Sequence, residues 1–389
     1  MVNGSRLCSP TLAVAVCTVL AMGLASCGPA ERRTAEPRAN GEGQQDLSQE
    51  TPAGVEAAPA PEWSLAIHGG AGSARRDTTD ADDYYQALRD VLSLGSEQLA
   101  AGEASLRVVE EVVAALEDDP RFNAGRGSVF TSIGTHELDA AIMDGRTLAC
   151  GAVAGVKNVR NPVRLARHVM EDTPHVLLSG QGADNFAVNA GVRRNVQAYF
   201  TTEPQLERFR EIRSQRRGGS SEGDGAPSPD GDYTGNAGPE RDQAGASHLG
   251  TVGAVAMDRY GNLAAATSTG GTMYKQIGRV GDVPVIGAGT YANNDTAAIS
   301  CTGRGEEFIR HTVAYDVSAL IEYGGLSVED AARKVIGETL KPGDGGLIAI
   351  GRDGSIAMEF NTNAMFRGAA NSLGRFDVGI WEDVRSGRP

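Results

Sequence analysis

Much of the chain can be understood from one stretch, Gly250-Thr251-Val252-Gly253-Ala254-Val255-Ala256-Met257-Asp258. Thr251 directly follows a glycine and opens an apolar run, whereas residues 218–245 are almost entirely Gly, Ser, Asp, Pro, Glu and Asn. A threonine hydroxyl needs a nearby base, and a free α-amino group, with a pKa of about 7.7–8.0, can act as one. The stretch therefore predicts cleavage between Gly250 and Thr251, which makes Thr251 an N-terminal nucleophile carrying its own base.

Extended and helical patterns lie on both sides of this stretch. A hairpin is predicted after Thr251, with strands over 252–257 and 263–268, and a second hairpin over 346–350 and 355–360. Helical periodicity predicts two helices within 82–118, separated at Gly102, and further helices over 160–171, 181–190, 304–323 and 326–338. Shorter extended runs predict strands over 127–133, 137–143, 151–156 and 175–179.

Length, composition and charge limit the class of protein. The 389 residues suffice for one large or two ordinary domains, and 51 glycines indicate many tight turns. The formal net charge of −14 disfavours nucleic acid as a partner, because phosphate binding needs clustered Lys and Arg. Cys150 and Cys301 are isolated thiols in the folded part and are interpreted as buried apolar side chains, not as a disulfide or a zinc site.

The N-terminus has the features of an export signal. Arg6 precedes an apolar run over 11–24, which ends in Leu24-Ala25-Ser26-Cys27. This ending resembles a bacterial lipobox and predicts a lipoprotein signal peptide over 1–26, lipidation at Cys27 and anchoring on the periplasmic face of the envelope. An ordinary secretory signal with an incidental cysteine is the alternative.

Two segments have the composition of flexible chain. Residues 27–62 are poor in large apolar side chains and are interpreted as a tether to the membrane. Residues 203–249 are interpreted as a flexible loop before the cleavage site, with a plain interdomain linker as the alternative. Residues 63–250 are then the α subunit of one domain, and residues 251–389 its β subunit.

Eight short motifs rich in Gly, Thr, Arg and Asp occur in order along the chain. They are Ile67-His68-Gly69-Gly70-Ala71-Gly72, Phe122-Asn123-Ala124-Gly125, His136-Glu137-Leu138-Asp139-Ala140, Met143-Asp144-Gly145, Gly250-Thr251-Val252-Gly253-Ala254-Val255-Ala256, Ala266-Thr267-Ser268-Thr269-Gly270-Gly271, Gly278-Arg279-Val280-Gly281-Asp282 and Cys301-Thr302-Gly303-Arg304-Gly305-Glu306. Together they resemble the plant-type L-asparaginase and isoaspartyl peptidase family of Ntn-hydrolases, and the resemblance covers about residues 63–370 apart from the long loop. It implies an α+β fold, a four-layer αββα sandwich of the Ntn-hydrolase type, assembled as a dimer of αβ heterodimers.

The resemblance also implies a role for each site residue. Thr251 is the implied nucleophile, Thr269 its hydrogen-bonding partner, and Thr302 with Gly303 the oxyanion hole. Arg279 is implied to bind the α-carboxylate of the substrate, and Asp282 its α-ammonium group. Gly303, Gly305 and Asn123 are implied to make supporting contacts. Taken without the family, Arg279 and Asp282 could simply pair with each other. His68 is interpreted as a structural strand-end histidine and not as a base.

The implied reaction is amide hydrolysis through a β-aspartyl ester on Thr251, with L-asparagine or a β-aspartyl peptide as substrate and L-aspartate as product. No catalytic cofactor is expected. The turn over 116–126 resembles the family's sodium loop, or is a tight turn without an ion. Main-chain carbonyls would bind the sodium ion, from Leu116, Glu117, Asp119, Phe122, Ala124 and Arg126. A glycosylasparaginase-like amidase and an uncleaved lipoprotein that binds amino acids or peptides are the alternative functions.

Overall fold

The computed structural model describes residues 59–77, 79–218 and 250–387. The predicted signal peptide, the lipidation site at Cys27 and most of the predicted tether lie outside these residues. Within them, no helix is both long and apolar enough to cross a membrane.

Helices and strands occur on both sides of residue 250. The elements before it are β1 (Ser64–Gly72), α1 (Ala81–Ala101), α2 (Ser105–Asp118), β2 (Leu138–Asp144), β3 (Cys150–Val156), α3 (Pro162–Asp172), β4 (Leu177–Ser179), α4 (Gly180–Asn189) and α5 (Glu203–Gly218). Those after it are β5 (Val252–Met257), β6 (Leu263–Thr269), β7 (Thr290–Ala292), β8 (Ala297–Gly303), α6 (Gly305–His311), α7 (Val313–Glu322), α8 (Val328–Lys334), β9 (Gly345–Gly351), β10 (Ile356–Phe360), β11 (Ala364–Asn371), β12 (Phe376–Gly379) and β13 (Val384–Ser386).

The strands form two sheets. The larger sheet has the order β13-β12-β11-β1-β5-β6-β2-β3-β4, and the smaller has the order β10-β9-β8-β7. Neighbouring strands are antiparallel except for β3 and β4. The predicted hairpin of β5 and β6 lies in the middle of the larger sheet, with Val252 opposite Ser268 and Met257 opposite Leu263. Thr251 is therefore held at the end of a central strand.

Side-chain alternation along the central strands creates the layers. Leu65 and Ile67 on β1 face one way and pack in a core with α1, α2 and α3, whereas Ala66 faces the smaller sheet. The interior between the sheets joins Val255 and Ala265 to Ile348 and Ile350. Beyond the smaller sheet, Ile299 and Leu347 pack with α6, α7 and α8. The order helix, sheet, sheet, helix confirms the predicted αββα sandwich.

Most predicted elements are present, and Gly102 ends α1 in the left-handed conformation at φ 92°. The predicted strand over 127–133 is wrong, because Gly125–Gly127 forms a single 3-10 turn and only Thr131 makes an isolated bridge, to Lys275. The predicted helix over 304–323 is two helices separated at Thr312, whose φ is 52°.

The backbone bonds explain this break: the amides of Ala314 and Tyr315 donate to Ala288 and Gly287, outside the helix.

The loop predicted over 203–249 also needs correction. Residues 203–218 form α5, and the remaining residues of the predicted loop lie outside the described part of the chain. Phe209 on α5 is buried against Val129, Phe130 and Met273. This apolar contact stabilises a polar helix whose own sequence carries little apolar periodicity.

Candidate active site

The hydroxyl groups of Thr251 and Thr269 meet at the end of the central hairpin. Thr251 Oγ1 donates to Thr269 Oγ1 at 3.1 Å, and Thr251 is 6% exposed. Thr269 Oγ1 also accepts from the amide of Gly271 at 2.9 Å. The structure thus brings together the two threonines that the sequence paired, and the backbone after β6 fixes the orientation of Thr269.

Asn123 holds the turn that follows Thr269. Its Oδ1 accepts from the amide of Val129 at 3.0 Å, and its Nδ2 donates to the carbonyl of Gly271 at 2.7 Å. The amide of Gly270 donates to the Asn123 carbonyl at 3.0 Å. Asn123 therefore supports the surroundings of Thr251 through Thr269 and does not contact Thr251 itself through these bonds.

The Gly250–Thr251 bond lies beside the glycine turn of β1 and Thr302. Gly70 has a φ of 117°, and a Cβ there would lie 2.8 Å from the Gly250 Cα atom. A Cβ on Gly250 would lie 2.7 Å from Thr302 Oγ1, which accepts from the amide of Ala71 at 3.0 Å. Only residues without a side chain permit this close backbone approach at the predicted cleavage point.

Gly303 follows Thr302 at the end of β8, opposite Gly345 on β9. Its φ is 153°, and a Cβ there would lie 2.8 Å from the Phe308 ring and would also meet the Asp344 carbonyl oxygen. Glycine at this position permits a backbone conformation next to Thr302 that a residue with a side chain could not adopt without clashing.

Arg279 makes its ion pair with Glu306 and not with Asp282, which corrects the simple Arg279–Asp282 pairing considered from sequence. Nε and Nη2 of Arg279 donate to the two carboxylate oxygens of Glu306 at 3.0 and 2.9 Å. A Cβ on Gly305 would lie 2.9 Å from both Arg279 Nη2 and Asp282 Oδ1. Three of the five predicted substrate-binding residues, Arg279, Asp282 and Gly305, are therefore close neighbours in space.

Asp282 is buried, and its Oδ2 is without a hydrogen-bond partner. Burial raises the pKa of this carboxyl group to about 7, although the nearby Arg279 opposes the increase. A buried carboxylate oxygen without a partner is energetically costly and is suited to receive a cationic group.

Sequence reasoning missed two partners of these residues. Glu306 was noted only as the last residue of a motif and was given no role. Its pairing with Arg279 depends on the turn between β6 and β7. His68 is completely buried, with Nδ1 2.9 Å from the Thr251 carbonyl oxygen and Nε2 2.7 Å from Ser300 Oγ. Burial lowers the pKa of His68 to about 3, so the expectation that it is not a base agrees with its environment.

The sequence of this chain is similar to that of known proteins. The asparaginase family model matches residues 61–380. The isoaspartyl peptidases of Salmonella typhimurium and Escherichia coli are each 48% identical to this chain over 308 residues, covering 78% of it and 93% and 91% of the relatives. A probable isoaspartyl peptidase/L-asparaginase 2 of Arabidopsis thaliana is 42% identical over 331 residues, covering 82% of this chain and 99% of the relative.

The chain belongs to the asparaginase family. It is thus an enzyme of the Ntn-hydrolase class, as its motifs implied. The family match spans both sides of the Gly250–Thr251 bond and begins just before β1.

The turn after α2 of this asparaginase-family chain, where a sodium loop was expected, places main-chain carbonyl oxygens close to glycines. A Cβ on Gly125 would meet the Glu117 carbonyl oxygen, and one on Gly127 would lie 2.7 Å from that of Pro120 and would also meet that of Phe122. Glycines at positions 125 and 127 therefore leave room for these carbonyl oxygens, some of which accept from amides of the same turn, as that of Phe122 does from Ala124. In the described part of the chain, no cluster of three His, Cys, Asp or Glu side chains could hold a metal ion.

Proposed function

We propose that the chain is a self-processing amidohydrolase that releases L-aspartate from β-aspartyl dipeptides and from L-asparagine. The observation that carries the proposal is the Thr251–Thr269 hydroxyl contact of 3.1 Å, located directly after a glycine that packs against Thr302. The names of the relatives, isoaspartyl peptidase and isoaspartyl peptidase/L-asparaginase, support this choice of substrates.

In the self-processing step, Thr251 Oγ1 attacks the carbonyl carbon of Gly250. The peptide bond breaks, the proton lost by the hydroxyl is transferred to the Thr251 nitrogen, which becomes a free amine, and an ester links Gly250 to the Thr251 oxygen. Water then hydrolyses this ester and leaves an α subunit ending at Gly250 and a β subunit beginning at Thr251. Thr269 supports this step by holding the attacking hydroxyl in one orientation.

During turnover the free amine of Thr251 takes the proton of its own hydroxyl, which attacks the side-chain carbonyl of the substrate. Thr302 is prepared to stabilise the negative charge that develops, since its Oγ1 accepts from Ala71 and its own O–H can donate to the substrate oxygen. The amide of Gly303 is the second donor in this proposal. Ammonia or the peptide leaves, and water hydrolyses the β-aspartyl ester of Thr251.

Arg279 and Asp282 would orient the substrate by its charges. The Arg279 guanidinium binds the α-carboxylate with the edge that Glu306 leaves available, and the unpartnered Oδ2 of Asp282 accepts from the α-ammonium group. Gly305 keeps the space between these side chains open. L-Asparagine and β-aspartyl peptides present the same two charged groups, so one pair of residues serves both.

The remaining parts of the proposal concern ion binding, assembly and location. Sodium would be held by the main-chain carbonyls of Leu116, Glu117, Asp119, Phe122, Ala124 and Arg126 and would stiffen the turn that leads to Asn123. The mature protein is proposed to be a dimer of αβ heterodimers, exported and anchored to the membrane through a lipid on Cys27. These parts rest on the sequence motifs.

An SDS gel with N-terminal sequencing tests the function together with a β-aspartyl dipeptide assay. We expect two bands, the smaller beginning at Thr251, and release of aspartate; Thr251→Ala should remain one folded, inactive chain. Hydrolysis that persists in Thr251→Ala would overturn the assignment. A single wild-type band after long incubation would favour the peptide-binding lipoprotein, and preference for a glycosylated asparagine would favour the glycosylasparaginase-like amidase.

A further inference from the structure

His68 links the main chain of Thr251 to the smaller sheet. Its imidazole lies between the Thr251 carbonyl oxygen, 2.9 Å from Nδ1, and Ser300 Oγ, 2.7 Å from Nε2. His68 and Ser300 are completely buried and belong to β1 and β8, which lie in different sheets. The bond to Thr251 thus links the main chain of the proposed nucleophile to the smaller sheet.

The two contacts determine which ring nitrogen carries the proton. A carbonyl oxygen can only accept, so Nδ1 must donate to Thr251. Burial disfavours the charged ring and lowers the pKa of His68 to about 3, so Nε2 is unprotonated and accepts from the Ser300 hydroxyl. One neutral tautomer satisfies both contacts.

Further buried hydroxyl groups extend this connection. Thr290 Oγ1 donates to Thr267 Oγ1 at 2.7 Å, and Thr267 Oγ1 lies 2.8 Å from Ser300 Oγ. Since Ser300 donates to His68, Thr267 is the donor in its contact with Ser300, and the donors run in one direction from Thr290 to Thr251. Thr267 Oγ1 and Thr290 Oγ1 are also 3.4 and 3.2 Å from the carbonyl oxygens of Gly289 and Val283, which anchor these two hydroxyls. The chain holds its members in fixed positions, because removal of the His68 ring would leave the buried Ser300 hydroxyl and Thr251 carbonyl without these partners.

Gly253 makes room for this connection. A Cβ on Gly253 would meet both Ser300 Oγ and His68 Nε2. Two residues after Thr251, the sequence therefore has a glycine whose missing side chain leaves space for the histidine and serine on the smaller-sheet side of β5.

We propose that His68 is a positioning residue that fixes the main chain of Thr251, and with it the direction of the Thr251 hydroxyl and amine, through the chain of Ser300, Thr267 and Thr290. This inference rests on the proposed function of Thr251. Because Arg279 and Asp282 are not part of the chain, removal of His68 should reduce kcat and slow self-cleavage while changing KM little.

The test compares His68→Ala, His68→Asn and His136→Asn in the full chain. His136 is a matched control, since it is also buried and contacts a carbonyl oxygen, that of Val129, and a hydroxyl, that of Thr201, both at 3.1 Å. Misplacement of the nucleophile predicts a loss of about 10²-fold in kcat for His68→Ala, with KM within about threefold of wild type. His68→Asn, which keeps an N–H donor near Nδ1, should recover at least about tenfold, and His136→Asn should stay within about threefold of wild type.

Equal losses in His136→Asn and His68→Ala would overturn the proposal, as would His68→Asn no better than His68→Ala. A second measurement needs no variant. In the wild-type protein, ¹⁵N NMR of labelled histidine should give His68 protonated on Nδ1 alone at about pH 6, below which an ordinary histidine of pKa about 6.5 is mostly charged. An Nε2–H tautomer or an imidazolium would contradict the inference, whereas wild-type protein without hydrolytic activity would reject the proposed function and leave this tautomer result standing.

Discussion

The carboxylate of Glu306 holds one edge of the Arg279 guanidinium, with both oxygens in contact at 3.0 and 2.9 Å. The remaining nitrogen, Nη1, is not part of this pair and lies 2.8 Å from where a Cβ of Gly281 would be, so glycine leaves space beside it. Arg279 is thus oriented by Glu306 before any substrate arrives. Because the bidentate pair leaves Nη1 and one side of Nη2 uncommitted, a substrate carboxylate can be bound without displacing Glu306.

Replacing Glu306 with Gln should therefore weaken substrate binding moderately. Glu306 is 58% exposed, and ion pairs at such positions are worth about 0.2–1 kcal/mol, so KM for a β-aspartyl dipeptide should rise by at most about fivefold with kcat unchanged. Steady-state kinetics measures both constants. Glu307→Gln is the matched control, since Glu307 is the next residue of α6 and pairs with Arg310. A lower KM in Glu306→Gln would mean that Glu306 competes with the substrate instead of orienting Arg279.

Gly70→Ala should slow self-cleavage. The φ of 117° at Gly70 is unfavourable for alanine, and the new methyl group would press on the backbone of Gly250, displacing the bond that Thr251 attacks. We expect unprocessed chain to accumulate, with a rate reduced by at least about tenfold, measured as band intensities over time. Gly191→Ala, at a φ of 69° with open space around it, tests backbone strain alone and should be processed normally.

The sequence predicted the central hairpin and the layer order well, because both depend on local alternation. Leu65 and Ile67 alternate with Ala66, and the run after Thr251 is apolar enough to be central. Prediction from the sequence failed where contacts with other parts of the chain determine the shape of a helix or strand. Thr312 interrupts a strong helical pattern because amides after it donate to Gly287 and Ala288, and α5 exists because Phe209 finds an apolar site.

Some residues of the active site could likewise be given a role before the fold was known, and others could not. The pairing of Thr251 with Thr269 was implied by the resemblance, and it agrees with a hairpin whose short turn sets their strands side by side. His68 and Glu306 could not be given roles, because their partners, Ser300 and Arg279, are 232 and 27 residues away and only the stacked sheets and the turn after β6 bring them together. Both residues stand within the sequence motifs, which was the signal available for them.

The pH dependence of KM should report on Asp282. With its pKa raised to about 7, this carboxyl group is neutral at lower pH and cannot pair with a substrate ammonium group. KM for a β-aspartyl dipeptide should therefore be constant above about pH 8 and rise as the pH falls through 7, approaching about tenfold per pH unit. The Thr251 amine, in contrast, should affect kcat. Asp282→Asn should raise KM at every pH and remove its pH dependence; a KM that stays constant from about pH 5.5 to 8.5 in the wild type would contradict the role of Asp282.

Glu117 should make the stability of the fold decrease with rising pH. This side chain at the end of α2 is fully buried, its Oε1 accepts from the amide of Val163 at 3.0 Å, and burial raises its pKa from 4.5 to about 8. The folded state keeps a proton that the unfolded state releases, so the stabilisation is complete below about pH 4.5 and is lost as the pH rises through 8, a change on the order of a few kcal/mol. Glu117→Gln has no such proton. The melting temperature of this variant, relative to that of the wild type, should therefore increase as the pH is raised from about 5 to 8. A difference between Glu117→Gln and wild type that stays constant from about pH 5 to 8 would mean that Glu117 is charged in the folded protein.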